Sequence, residues 1–166
     1  MENAIREFAL AAGVELCGIA AIDRFADAPQ GFHPRDVYAD CRSVVVLGKV
    51  LPAGLSQVSP RIIYNHALDV NIAELDRIAL QTALEIERMG GVAVSLPSDT
   101  PYEYWDSGAM TGKGLISMRH AAVRAGLGSL GKNTLLINRD YGNMLNLGAV
   151  LTNLALRSDQ IGRAHV

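Results

Sequence analysis

Ser117 to Asn138, SMRHAAVRAGLGSLGKNTLLIN, is the stretch on which the fold reading turns. Met118, Ala121, Ala122 and Ala125 recur at helical spacing ahead of the glycines. Thr134, Leu135, Leu136 and Ile137 form an apolar, partly β-branched run behind them. The expected order is a short helix, a glycine-rich turn and a buried strand. Two phosphate-binding patterns overlap here. Gly126, Gly128 and Gly131 satisfy G-x-G-x-x-G, and Gly126, Gly131 and Lys132 satisfy most of G-x-x-x-x-G-K-[ST], with Asn133 in place of the Mg²⁺-binding hydroxyl. Both patterns need a strand before the glycines and a helix after them, because the phosphate rests on the helix N-terminus. The reversed order argues against a nucleotide site. Gly126 is then expected as a left-handed C-terminal cap of the helix. The remaining glycines either make a tight turn or let backbone amides and Lys132 approach a cofactor closely.

A chain of 166 residues is long enough for one domain with a real core. At 49% hydrophobic and 19% charged it is globular rather than disordered. A net charge of −2 gives no broad attraction to nucleic acid or anionic lipid. The N-terminus, MENAIREFALAAG, lacks the basic start and apolar run of a signal peptide. No apolar run reaches the roughly 18 residues of a membrane span, so no membrane partner is expected, and a cytoplasmic location follows by default. Cys17 and Cys41 stand far apart and no C-x-x-C occurs. Two thiolates cannot hold a four-iron cluster. His33, His66, His120 and His165 show no paired ligand spacing, so no metal site is assigned.

In chain order, Ala4 to Ala12 reads as a helix stopped by Gly13, and Leu16 to Ile22 as a strand. Asp23 to Asp40 is polar and irregular, either a substrate lid or a plain connection. SVVVLGKVL, Ser43 to Leu51, reads as a buried strand. From Ile62 to Met89 runs the longest helical pattern, with Ile72, Leu75, Ile78, Ala79, Thr82 and Ile86 on one stripe. Val92 to Leu96 is a short strand, and Pro97 to Gly114 is the least regular part, with two tyrosines and the only tryptophan. Those aromatics either pack the loop down or line a flat ligand. Asn143 to Leu154 closes the chain with alternating Leu145, Leu147, Ala149 and Leu151. Helices and strands mix without βαβ repetition, which gives an α+β or three-layer αβα domain.

The segment HAAVRAGLGSLGKNTLLINRDYGNMLNLGAVLTNL, with AGLG-x-x-GK from Ala125 to Lys132 and a strand ending at Asn153-Leu154, resembles the corrinoid-binding domain of the epoxyqueuosine reductase family. The resemblance covers the last third of the chain well and the rest in outline. It implies a nitroreductase-like sheet, cobalamin, and an oxidoreductase of queuosine biosynthesis acting on a modified tRNA nucleoside. Electrons are then expected from downstream 4Fe-4S iron–sulfur clusters. It further implies that the backbone from Gly126 to Asn133, including Gly128, Gly131 and Lys132, holds the corrin, and that Tyr64 stands on a substrate or cofactor wall, where its sequence position also suits a solvated helix entrance. Arg119, by its planar fork, either holds a propionamide or phosphate of a cofactor or is simply solvated. The family's general acid is an Asp in a V-D-S-x-P run. An insertion aligns Ser98-Asp99-Thr100-Pro101 with it, making Asp99 the candidate acid. The ungapped alignment instead puts Gly112 there, Asp106 is another carboxylate in reach, and Asp99 also suits a turn before Thr-Pro. Val70 and Asn71 replace the Tyr-His of well-known members. Since the same sheet type elsewhere holds flavin, an FMN-linked reductase is a second reading. A non-catalytic corrinoid or electron-transfer module is a third.

The last six residues, IGRAHV, read like a translated sequencing adapter. Residues 1–160 are therefore expected to form one domain, 161–166 a non-native tail, and the cluster domain to lie downstream. A fragment of this kind would be inactive alone, and His165 is excluded from any site.

Overall fold

SVVVLGKV is apolar at consecutive positions, as a strand covered on both faces requires. In the computed structural model, which describes residues 1–161, this run is a central strand. The elements in order are α1 (Glu2–Ala12), β1 (Leu16–Ala21), α2 (Pro34–Val37), β2 (Ser43–Val50), α3 (Arg61–Arg88) and β3 (Ala93–Leu96). They continue with β4 (Tyr104–Asp106), β5 (Thr111–Lys113), α4 (Met118–Arg124), β6 (Ser129–Leu130), β7 (Leu136–Ile137) and β8 (Leu145–Thr152). The main sheet has the order β1-β2-β8-β3, with every pairing antiparallel.

Successive side chains of β2 point to opposite faces. Val44 and Val46 join Ala20, Ala149, Leu151 and the α4 alanines Ala121 and Ala122 in one core. Val45 and Leu47 join Ile5 and Ala9 of α1, Leu75 and Ile78 of α3, and Val150 in the other. Helices therefore cover both faces, giving the expected α+β, three-layer arrangement. Each fully buried Val, Leu or Ile contributes about 1.5–3 kcal/mol. Gly13, at φ 114°, ends α1 as expected.

In α3 the buried stripe is Asn71, Leu75, Ile78, Ala79, Thr82, Ala83 and Ile86. Ile72, expected on the stripe, is only half-buried, and Asn71 takes the inward place. Asn71 is satisfied there, donating to Val50 O at 2.9 Å and accepting from Asn146 Nδ2 at 2.8 Å.

Two expectations are corrected. The run behind the glycines is not a buried strand. Only Leu136 is buried, while Leu135 and Ile137 are 41% and 44% exposed. Thr134 sits at φ 62°, which breaks the extended run and leaves two residues to pair with Ser129–Leu130. The Pro97 to Gly114 stretch, in turn, contains the β4–β5 hairpin. The tail reading and His165 lie outside the described residues, apart from Ile161. No helix among the described residues is long and apolar enough to cross a membrane.

The chain after β8 returns along the free edge of β1. Asp159 N donates to Ile19 O at 2.9 Å, Asp159 Oδ2 accepts from Ile19 N at 2.8 Å, and Arg6 pairs with Asp159 Oδ1 at 2.6 Å. Covering an edge in this way removes a template for strand addition.

Candidate functional site

The glycine turn is built from the end of α4. Gly126 takes φ 78°. Its N–H donates to Val123 O at 3.0 Å, and Leu127 N donates to Ala122 O at 2.9 Å. This double bond pattern is a Schellman motif with Gly126 at the left-handed position. A Cβ on Gly126 would strike Gln160 O, and one on Gly128 would strike Ile137 O. A Cβ on Gly131 would lie 2.6 Å from Ile137 Cδ1. The helix-before-turn order excludes the phosphate-loop context, and the glycines let the chain close on its own backbone.

Arg119, exposed in the first turn of α4, braces this structure. Its Nη1 donates to Thr134 O at 2.9 Å and Thr134 Oγ1 at 2.8 Å. Asn133 Oδ1 accepts from Leu135 N at 3.2 Å, closing an Asx turn. Lys132 is exposed at the tip, beside the exposed apolar side chains of Leu130, Leu135 and Ile137. Arg119, Gly126, Gly128, Gly131, Lys132 and Asn133 thus lie together on one braced turn.

Asp99 and Tyr64 belong to other parts of the surface, and no hydrogen bond joins either to the turn among the described residues. Asp99 is exposed, and Tyr102 Oη donates to its Oδ1 at 3.4 Å. The nearby Asp99 charge pushes the Tyr102 phenol above its ordinary value. Ser98 N ties the loop to α3 through Asp76 Oδ1 at 2.9 Å. Tyr102 and Trp105 stack at 5.3 Å, with 3.0 Å between their ring atoms and a Cβ position on Gly112. Gly112 therefore serves the ring pair. Asp106 accepts from Gly108 N and Ala109 N at 2.8 and 3.0 Å, so it is spent on its own turn. Asp99 is the freer carboxylate of the two. Tyr64 is 37% exposed in the first turns of α3.

Sequence reasoning missed a cavity of about 360 Å³ between the 23–32 loop and α4, lined in part by Phe25, Phe32, Ser117, His120 and Arg124. Nothing in the loop's composition signals that it folds against α4. Arg24 Nη1 donates to Arg124 O and Arg124 Nε to Arg24 O, each at 2.5 Å. Arg124 Nη2 also pairs with Asp27 at 2.5 Å and holds that carboxyl below its ordinary range. A second cavity of about 380 Å³ lies between α1 and α3. Both are smaller than a corrinoid. The fit is therefore to one side of such a group. The glycine turn offers an apolar face, a cation and peptide groups, which suit a flat ring with amide edges, but it encloses nothing. No group of three metal-ligating side chains occurs among the described residues.

No protein-family model matches the chain. It is 48% identical over 52 residues to the epoxyqueuosine reductase of Synechocystis sp., which is 31% of this chain and 18% of that protein. Against the epoxyqueuosine reductase of Listeria monocytogenes it is 26% identical over 136 residues, 76% of this chain and 32% of that protein. The solved epoxyqueuosine reductase of Streptococcus thermophilus superposes with a TM-score of 0.66 at 17% identity, covering 98% of this chain and 48% of that one. The chain is similar to epoxyqueuosine reductases in sequence and in fold. Another epoxyqueuosine reductase structure, with an epoxyqueuosine-modified tRNA stem loop, matches with a TM-score of 0.60 at 15% identity, covering 97% of this chain and 47% of that one. A reductive dehalogenase described as B12-dependent matches with a TM-score of 0.64 at 20% identity, covering 95% and 20%. The chain spans about half the length of the solved reductases and less than a third of the curated relatives.

Proposed function

We propose that residues 1–160 form the corrinoid-binding domain of a cytoplasmic, cobalamin-dependent oxidoreductase of the epoxyqueuosine reductase kind, acting on tRNA in queuosine biosynthesis. The observation that carries this reading is the match of the whole three-layer unit, at 98% and 95% coverage, to both an epoxyqueuosine reductase and a B12-dependent dehalogenase. The iron–sulfur clusters that deliver electrons would belong to the part of the relatives that this chain does not cover. When bound, cobalamin would supply the reducing electrons to the substrate.

The remaining work falls to this chain's own residues. The backbone from Gly126 to Asn133 forms the wall. Lys132 and the guanidinium N–H groups of Arg119 not used on Thr134 meet polar edges, as a planar fork suits amide and phosphate oxygens. Leu130, Leu135 and Ile137 cover apolar surface, and Tyr64 extends the wall. Asp99, its carboxylate held by Tyr102 Oη, is the group assigned to pass a proton to the substrate.

The test is an anaerobic absorbance titration of the purified chain with cobalamin, run in parallel with FMN. A shifted corrin spectrum without flavin binding is expected. Flavin binding alone, or neither ligand bound by a folded sample, refutes the corrinoid reading. In the intact reductase carrying this domain, Asp99→Asn is expected to lower turnover about 10²–10⁴-fold while cobalamin binding persists. Unchanged turnover removes Asp99 from the chemistry. Lys132→Ala is expected to weaken cobalamin binding, and unchanged affinity would leave the turn purely structural.

A further inference from the structure

The cavity between the 23–32 loop and α4 is built, not incidental. Its outer wall is the loop, held to the helix by the reciprocal Arg24–Arg124 bonds and by the Asp27–Arg124 ion pair. Its far end is pinned by Lys113, whose Nζ lies 5.3 Å from the Phe32 ring centroid. The floor is apolar, with Phe25 buried under the Arg124 guanidinium at 5.2 Å and Ile116 buried beside it. Asp27, Ser117, His120 and Arg124 supply the polar part of the lining. Ser117 Oγ lies 2.7 Å from His120 Nδ1. With the hydroxyl donating, the imidazole proton sits on Nε2, leaving that atom as a donor. Asp27 uses Oδ1 on Arg124, which leaves its second oxygen as an acceptor.

We infer that this cavity is a subsite for a single purine base. At about 360 Å³ it is at the small end of ligand pockets, roughly 300–1,000 Å³. It therefore takes a ring system and excludes a corrinoid. Phe32 offers a face for stacking, the usual way proteins hold an unstacked base. The donor of His120 and the acceptor of Asp27 match a ring edge that carries both kinds of group, as guanine does. Arg124 is balanced by Asp27, and Lys113 beside the Phe32 ring adds one positive charge at the edge of the site, which suits a base carried on a phosphate backbone. The choice of a nucleobase over other planar rings rests on the proposed tRNA substrate. The pocket would then hold a base of that RNA apart from the reacting nucleoside.

The experiment is calorimetric titration of the folded chain with guanosine 5′-monophosphate, and with ribose 5-phosphate as the base-free control. Binding of the nucleotide is expected, with ribose 5-phosphate at least tenfold weaker. Phe32→Leu keeps the apolar volume and removes the stacking face, so it is expected to weaken nucleotide binding roughly 5- to 150-fold, the span of one base–aromatic stack. His120→Gln retains a donor and is expected to weaken binding less than His120→Ala. Equal binding of ribose 5-phosphate would show a phosphate site only and overturn the inference. So would unaltered affinity of Phe32→Leu, or no nucleotide binding at millimolar concentration. The cobalamin titration separates the two readings. Cobalamin binding without nucleotide binding overturns the base pocket and leaves the reductase reading. Nucleotide binding without cobalamin binding does the reverse.

Discussion

Gly126 and Gly131 share one turn, yet replacing each with alanine is expected to have very different results. Gly126 sits at φ 78°, where a Cβ costs about 1–2 kcal/mol. The same Cβ would strike Gln160 O, which is backbone and cannot swing aside. The segment around it is fastened by the two Asp159–Ile19 hydrogen bonds and the Arg6–Asp159 pair. Loosening one or two of these costs about 1 kcal/mol each. Gly126→Ala should therefore destabilise the domain by about 2–4 kcal/mol. A Cβ at Gly131 would meet Ile137 Cδ1 at 2.6 Å and Asn133 Oδ1 at 2.9 Å, both ends of side chains. A rotamer adjustment there costs about 0.5–1.5 kcal/mol. Reduced freedom of the unfolded chain returns about 0.4–1 kcal/mol. The net effect of Gly131→Ala should stay within about 1 kcal/mol. Urea unfolding reads the difference. With a slope near 2 kcal/mol/M, Gly126→Ala should lower the midpoint by about 1–2 M and Gly131→Ala by less than about 0.5 M. A double-mutant cycle with Asp159→Ala isolates the clash. With the segment released, Gly126→Ala should cost only the backbone share, leaving a coupling of about 1–2 kcal/mol. Equal midpoints for the two glycine variants, or strict additivity with Asp159→Ala, would refute the close-approach account.

Leu75 is fully buried and packs on Gly148 of β8, 3.2 Å from its Cβ position, so Leu75→Ala should cost about 2–5 kcal/mol in the same assay. Burial pushes the Cys17 thiol from its ordinary 9.0 up to about 12. Its contribution to stability is therefore complete below pH 9 and lost as pH rises towards 12. Between pH 8 and 10.5 wild type should lose about 2 kcal/mol more than Cys17→Ala. Equal losses would contradict the burial. The Asp27 carboxyl is lowered from 3.8 by Arg124, so the tie between loop and α4 should hold above pH 3.8 and fail only as pH falls through the lower folded value. Amide exchange of residues 23–32 follows this, and loosening already at pH 5 would count against the tie. Trp105, the only tryptophan, is 47% exposed, so its emission should lie near that of a solvated indole, and the blue emission of a buried indole would contradict the exposure of the hairpin.

The layers were legible because the patterns that encode them are long. SVVVLGKV, rich in β-branched residues, reads as a buried strand, and a helical stripe from Ile72 to Ile86 reads as part of one long helix; the structure has both. The glycine turn was legible from context, since a helix ahead of it removed the phosphate-loop reading and required a left-handed cap at Gly126. What failed was the run behind the turn. Its apolar composition suits a buried strand, but Thr134 at φ 62° breaks it and leaves a two-residue pairing with an exposed outer face. Local composition carries no signal for that, because the left-handed turn is held by Arg119, fifteen positions away. The cavity beside α4 was hidden for the same reason. Nothing around Arg24, Asp27 or Arg124 in the sequence marks a clamp, and only the fold brings residues about a hundred positions apart together. Leu135 and Ile137 stand on the hairpin face opposite the buried Leu136, and both are exposed. Two large exposed side chains near Lys132 on a short hairpin favour contact with an apolar partner surface over water. A partner seated on that face would meet a turn already braced by Arg119, so it would bind without first ordering the turn.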